Sequence, residues 1–232
     1  VLSAGSVFPS VSFVITSGAF TLNYSPAGGL ATVPTFTHTA GTVQFNYSYA
    51  LTATGTYTFT AGTLSINDGI TLSTGIFSST NANTRTINFG LTTTAGWISL
   101  THTTAATVVL SMANITGLTV NAKSKFALTG QQYVSETGVA GGFRSETTVT
   151  RTFTCGTTGG NSANAPCLYV TGTGATQLPT FTTASWFGDF RLDGLSTMTI
   201  AATTLNVNSY IGLGYYNSVN TTSMNLNFVG SG

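Results

Sequence analysis

Two histidines, two cysteines and five acids are the residues of this 232-residue chain best suited to moving protons, holding metals or attacking carbon. His38 and His102 each sit in a threonine-rich run, and neither belongs to a G-x-S-x-G or H-E-x-x-H pattern. Each reads as a sheet residue bonded to neighbouring hydroxyls. The acids are Asp68, Glu136, Glu146, Asp189 and Asp193. Asp189-Phe-Arg-Leu-Asp193-Gly lacks the dense oxygen spacing of a calcium loop and reads as a turn with a local Arg191 ion pair. A carboxylate pair for glycoside hydrolysis can be drawn from any two acids, so the acids alone define no active site. Gly159-Gly160 and Gly172-Thr-Gly174 lack the lysine and helix context of a phosphate loop. The sequence therefore predicts no enzyme, no metal and no cofactor. Cys155 and Cys167 flank Gly-Thr-Thr-Gly-Gly-Asn-Ser-Ala-Asn-Ala-Pro. Two cysteines closing a flexible loop predict a disulfide-stapled hairpin and an oxidising compartment. On the chain-entropy account such a bridge contributes about 3 kcal/mol.

Covalent chemistry is the other candidate. N-glycosylation acceptors occur at Asn23, Asn46, Asn114 and Asn220, each followed two residues on by Ser or Thr. A chain this rich in Asn, Ser and Thr yields such matches by chance, so position carries more weight than number. Asn46 points away from the Phe45/Tyr47 face and Asn220 reads as a loop residue. Trp97, Trp186, Phe187, Tyr210, Tyr215 and Tyr216 could line a carbohydrate platform, although Trp and Tyr serve equally well in a sandwich core.

Composition sets the frame. Charged residues make up 5%, against roughly 25% in ordinary soluble domains. A net charge of +1 offers no footprint for nucleic acid or acidic lipid. No run approaches the roughly 18 apolar residues of a membrane helix. So bare a surface suits burial in an assembly or cover by glycans, and it lacks the Lys and Glu that blunt sheet edges.

The elements that would position these residues are strands. In Thr42–Tyr49, Val43, Phe45, Tyr47 and Tyr49 alternate with Gln44, Asn46 and Ser48, giving one apolar and one hydroxyl/amide face. Thr56–Thr60, Thr63–Ile66 and Ile70–Leu72 continue the alternation, and Asn67-Asp68-Gly69 signals a tight hairpin. No fixed period of 20–50 residues stands out, which disfavours a solenoid. The expected fold is all-β: an antiparallel β-sandwich, Ig- or pilin-like, with short strands and Gly-rich turns. Residues 1–17 form an N-terminal strand or extension and 18–232 the body, with a sub-domain boundary near 129–142. The stretch 121–151 holds more than half of the charges and reads as a solvated excursion.

The N-terminal segment carries Val7, Val11, Phe13 and Ile15 behind a small, turn-rich leader with no basic–apolar signal pattern, as if a signal peptide had been removed. Alternating strand texture, low charge, Thr/Asn richness, sequons and two cysteines together resemble donor-strand-complemented surface filaments, the chaperone–usher pilins of bacteria and the thread-type filaments of archaea. The resemblance covers the texture of the whole chain rather than an aligned motif. The chain departs from bacterial pilins in its length and in placing its cysteines late. The resemblance implies a donor strand made by Val7, Val11, Phe13 and Ile15. It also implies a secreted, cell-surface structural subunit that polymerises head to tail with identical copies and carries N-glycans. The alternative is a glycan-binding adhesin or phage-fibre module.

Overall fold

The alternation read in Thr42–Tyr49 holds at Val43, Phe45 and Tyr49, which are buried, and fails at Tyr47, which is exposed beyond the end of its strand. Val43 and Phe45 are fully buried while Thr42 and Gln44 are partly exposed. In a computed structural model the chain is described for residues 13–22, 33–90, 96–104, 107–122, 142–146, 151–158, 166–171, 179–181, 185–193, 197–199, 204–213, 218–220 and 225–228. Among these the first coil contributes β1 (Phe13–Ile15) and β2 (Ala19–Leu22). The second gives β3 (Thr35–His38), β4 (Thr42–Phe45) and β5 (Tyr49–Ala50). The third gives β6 (Thr56–Phe59), β7 (Gly62–Ile66) and β8 (Thr71–Thr74). The fourth gives β9 (Ile76–Ser78), β10 (Arg85–Phe89) and β11 (Trp97–Leu100). Then follow β12 (Thr107–Asn114), β13 (Leu118–Ala122) and β14 (Gly142–Glu146). After them come β15 (Arg151–Thr158), β16 (Leu168–Thr171), β17 (Pro179–Phe181) and β18 (Ser185–Asp193). The last are β19 (Thr197–Thr199), β20 (Thr204–Leu213), β21 (Ser218–Asn220) and β22 (Asn225–Phe228).

Every strand pairing among the described residues is parallel. This overturns the antiparallel sandwich. The chain winds as a parallel β-solenoid, and its coils build three walls. Sheet A has seven strands in the order β1-β3-β6-β9-β12-β15-β17, and sheet B has five, β13-β10-β7-β4-β2. Sheet C has eight, β22-β20-β18-β16-β14-β11-β8-β5, and β19 pairs with β21 apart from them. The Asn67–Ile70 turn forms, with Ile70 N–H donating to Asn67 O (3.1 Å) and Gly69 at φ 70°. It carries the chain from sheet B to sheet C instead of folding β7 back on β8. Side-chain alternation is the same in both kinds of sheet, so a parallel wall buried on one face mimics an antiparallel one.

Inward positions stack coil on coil. On sheet A, Phe36, Tyr57 and Phe77 lie in register, with ring centroids 4.9 Å and 5.6 Å apart and planes within 7° of parallel. On sheet B, Val43, Leu64 and Ile87 form one buried column and Phe45, Ile66 and Phe89 another. On sheet C, Leu72, Ile98 and Phe143 do the same. Burying such side chains contributes about 1.5–3 kcal/mol each.

The corner between sheets A and B is made by glycine. Gly18, Gly41 and Gly62 have φ of 76°, 84° and 95°. A Cβ on Gly41 would collide with the Gly18 backbone, and one on Gly62 with that of Gly41. The corner must be glycine for both reasons. In the next coil the register position of Gly62 is taken by Arg85. The tail of the expected extension, Phe13–Ile15, pairs in parallel with Phe36–His38 of its own chain, while Val7 and Val11 lie outside the described residues. Of the expected boundary at 129–142 only Gly142, which opens β14, is described.

Candidate functional site

The outward positions of sheet B form two ordered rows. Thr42, Thr63, Thr86 and Thr119 are in register across four coils. Gln44, Ser65, Asn88 and Asn121 form the second row. The amides of the second row bond along the solenoid. Asn121 Nδ2 donates to Asn88 Oδ1 (3.0 Å), and Asn88 Nδ2 donates to Ser65 Oγ (2.9 Å). At the N-terminal end of the row Gln44 Nε2 donates to Asn46 Oδ1 (2.8 Å), and Asn67 Nδ2 donates to the same oxygen. Each carboxamide has two N–H donors and two acceptor sites, so these bonds fix the orientation of Asn88 while leaving it hydrogen-bonding capacity.

Gln44, Asn46, Ser65, Asn67, Asp68 and Asn88, with Ile66 and Ile70, line a cleft of about 490 Å³. Three elements place them: β4 and the residue after it, β7 with the turn that follows, and β10. Tyr47, 45% exposed, follows Asn46 directly. Sequence reading missed the cleft because its residues, polar and unremarkable singly, become neighbours only once the coil length is known.

The ionisable groups pointed to by sequence are placed elsewhere. His38 faces the interior, where Nε2–H donates to Gly41 O (3.1 Å) and Nδ1 accepts from Tyr57 Oη (3.3 Å). Its ring packs on Phe59 at 4.7 Å. Burial holds His38 below the usual histidine range, against the opposing pull of the Gly41 carbonyl. His102 is buried and its Nδ1 accepts from Thr104 N–H (3.1 Å). Both are sheet or corner residues bonded within the fold, the first to a hydroxyl as expected. Of the described acids Asp68 lines the cleft. Glu146, Asp189 and Asp193 lie on β14 and β18, and Glu136 lies outside the described residues. The 189–193 segment is strand rather than turn. No group of three or more His, Cys, Asp or Glu able to hold a metal occurs among the described residues. No helix among them is long and apolar enough to cross a membrane.

Arg85 is a fully buried cation. Its Nε donates to Asn83 O (3.0 Å), Nη1 to Ser79 O (2.8 Å) and Ser79 Oγ (2.7 Å), and Nη2 to Asn114 O and Thr116 O (both 3.0 Å). Burial lowers its pKa. Burial likewise pushes the Cys155 thiol up, with Arg85 pulling the other way.

The stapled hairpin is corrected. Cys155 is buried on β15 in sheet A, against Met112, whereas Cys167 immediately precedes β16 in sheet C, and no bond joins them. A strand that feeds a different wall is not the return arm of a hairpin. Of the acceptor asparagines, Asn46 lies in the cleft and Asn114 accepts from Thr116 N–H (2.9 Å). Asn220 ends β21, paired with Thr199, instead of lying in a loop, and Asn23 lies outside the described residues. Among the platform aromatics Phe187 is fully buried and Trp97 nearly so, its ring 6.1 Å from that of Tyr169. Trp186 is half-buried, Tyr210 lies on β20, and Tyr215 and Tyr216 fall outside the described residues. No protein-family model matches the chain, and neither a curated protein nor a solved structure matches it.

Proposed function

We propose that this chain is a structural subunit of an extracellular fibre whose copies stack head to tail, coil upon coil. The observation that carries this reading is the first coil. Thr42 N–H donates to Gly18 O and Thr39 N–H to Ile15 O, both at 2.8 Å. Backbone groups of a strand alternate between its two sides. The N–H and C=O of Val14, Ala19 and Thr21 therefore face away from β3 and β4, and among the described residues no strand pairs with that side of sheets A and B. Val14 is 58% exposed, and Phe20 is only partly covered, whereas its registered neighbour Val43 is fully buried. Gly18 keeps the left-handed corner conformation, and the space its Cβ would enter is empty. The corresponding space at Gly41 and Gly62 is filled by the preceding coil. The first coil thus has the shape of an inner one, and a further parallel coil completes it. Uncharged edges that pair with another chain are the features soluble proteins normally suppress. A contact between unlike ends does not close on itself, so it propagates.

In this reading Phe13 and Ile15 stay in their own chain, and the junction forms along the free side of their strand. Negative-stain microscopy of the unaltered chain beside Thr21→Pro tests it. Proline removes an N–H that faces the open edge and leaves the bonds to β4 in place. Filaments from the first and folded monomers from the second are expected. Discrete particles from both, or filaments from both, overturn the reading.

A further inference from the structure

We propose that the outer face of sheet B binds a linear, uncharged polysaccharide lying along the solenoid axis, with its centre in the cleft around Asn67. The proposal is independent of fibre formation. A polyhydroxylated ligand without charge needs paired donors and acceptors held still, and a patch of apolar wall for the C–H faces of its rings. The cleft supplies both. The amides of Gln44 and Asn67 both bond to that of Asn46, and Asn88 is held between Ser65 and Asn121, so all four are fixed before any ligand arrives. Such preorganisation lowers the cost of binding. Ile66 and Ile70 give the cleft its apolar lining, and we assign the exposed ring of Tyr47, next to Asn46 in the chain, as a stacking face.

Spacing points to a chain rather than a single sugar. Successive strands of a sheet lie about 4.8 Å apart, close to the advance per residue of an extended polysaccharide. The Gln44–Ser65–Asn88–Asn121 row therefore meets one sugar after another with the same chemistry. Charge points to a neutral ligand. Among the described residues that line the cleft there is no Lys, Arg or His to hold an acidic ligand.

The test uses unglycosylated chain from a bacterial host, so that Asn46 carries no sugar of its own. Affinity electrophoresis in gels containing hydroxyethyl cellulose, glucomannan or dextran is run beside alginate and heparin, with calorimetry on the best binder. Retardation by at least one neutral polymer and by neither acidic one is expected. Asn88→Ala and Tyr47→Ala should each weaken binding by about tenfold while the thermal midpoint stays put. Tyr47→Ala serves as the variant at an exposed position, where folding is not at issue. Absence of retardation by every neutral polymer, equal retardation by the acidic ones, or unchanged binding in both variants overturns the proposal.

Discussion

Arg85 and His38 show how one interior admits polar groups. A buried guanidinium without a carboxylate is costly unless every donor is met, and here four carbonyls and a hydroxyl meet it. Ser79 and Asn83 belong to the corner between β9 and β10, and Asn114 and Thr116 to the corner between β12 and β13 of the next coil, so the same side chain ties two coils together where the glycine corner ends. His38 solves the problem by staying neutral. Its pKa is lowered by burial, so on acidification the unfolded chain takes up the proton first. Stability contributed by the neutral ring is complete above the unfolded value of about 6.5 and is lost as pH falls from there toward the lower folded value. Urea midpoints should therefore be level between pH 8 and 7 and decline below pH 6. In His38→Gln, whose amide can still donate to Gly41 O, the decline should be smaller. An equal decline in both would move the titration to another group.

The element that most constrains the sequence is the glycine corner. At Gly62 an alanine faces both a left-handed φ, costing about 1–2 kcal/mol, and overlap with the Gly41 backbone, costing about 1–3 kcal/mol more. At Gly18 only the first cost applies, because nothing lies within 4 Å. Gly62→Ala should therefore lower the thermal midpoint by clearly more than Gly18→Ala, and equal shifts would show that the backbone relaxes around the new methyl. This corner also explains what could be read in advance. Thr35-Phe-Thr-His-Thr-Ala-Gly-Thr-Val-Gln-Phe45 and Thr56-Tyr-Thr-Phe-Thr-Ala-Gly-Thr-Leu-Ser-Ile66 are one sentence written twice. Strand existence, the buried face of Val43/Phe45 and the Asn67–Gly69 turn were all legible from alternation and turn chemistry. Parallel pairing was not, because a one-sided parallel wall has the same alternation as a hairpin. The period hid because its length varies. Bonded partners on sheet B are 21 residues apart at Asn46–Asn67, 23 at Ser65–Asn88 and 33 at Asn88–Asn121. The polar cleft stayed hidden with it, since its residues are neighbours only at that spacing.

In the whole molecule each coil bonds chiefly to the coil before and the coil after it, so stability is close to a sum of coil and interface terms. Low charge lets the threonine and amide faces run unbroken along that axis, which suits both a fibre and a polymer-binding surface. The shared pattern of Thr35–Phe45 and Thr56–Ile66 has a genetic consequence. A protein whose corner accepts the same glycine on either side can change its length by a whole unit without repacking. Copying the 21 residues 35–55 in tandem should yield a folded chain one turn longer, with an unchanged circular-dichroism shape and a thermal midpoint no lower than the parent's. Misfolding of that insert would mean that the second and third coils are individually fitted. If it folds, slippage during replication becomes a ready source of shafts of graded length, with natural selection acting on copy number as much as on residues.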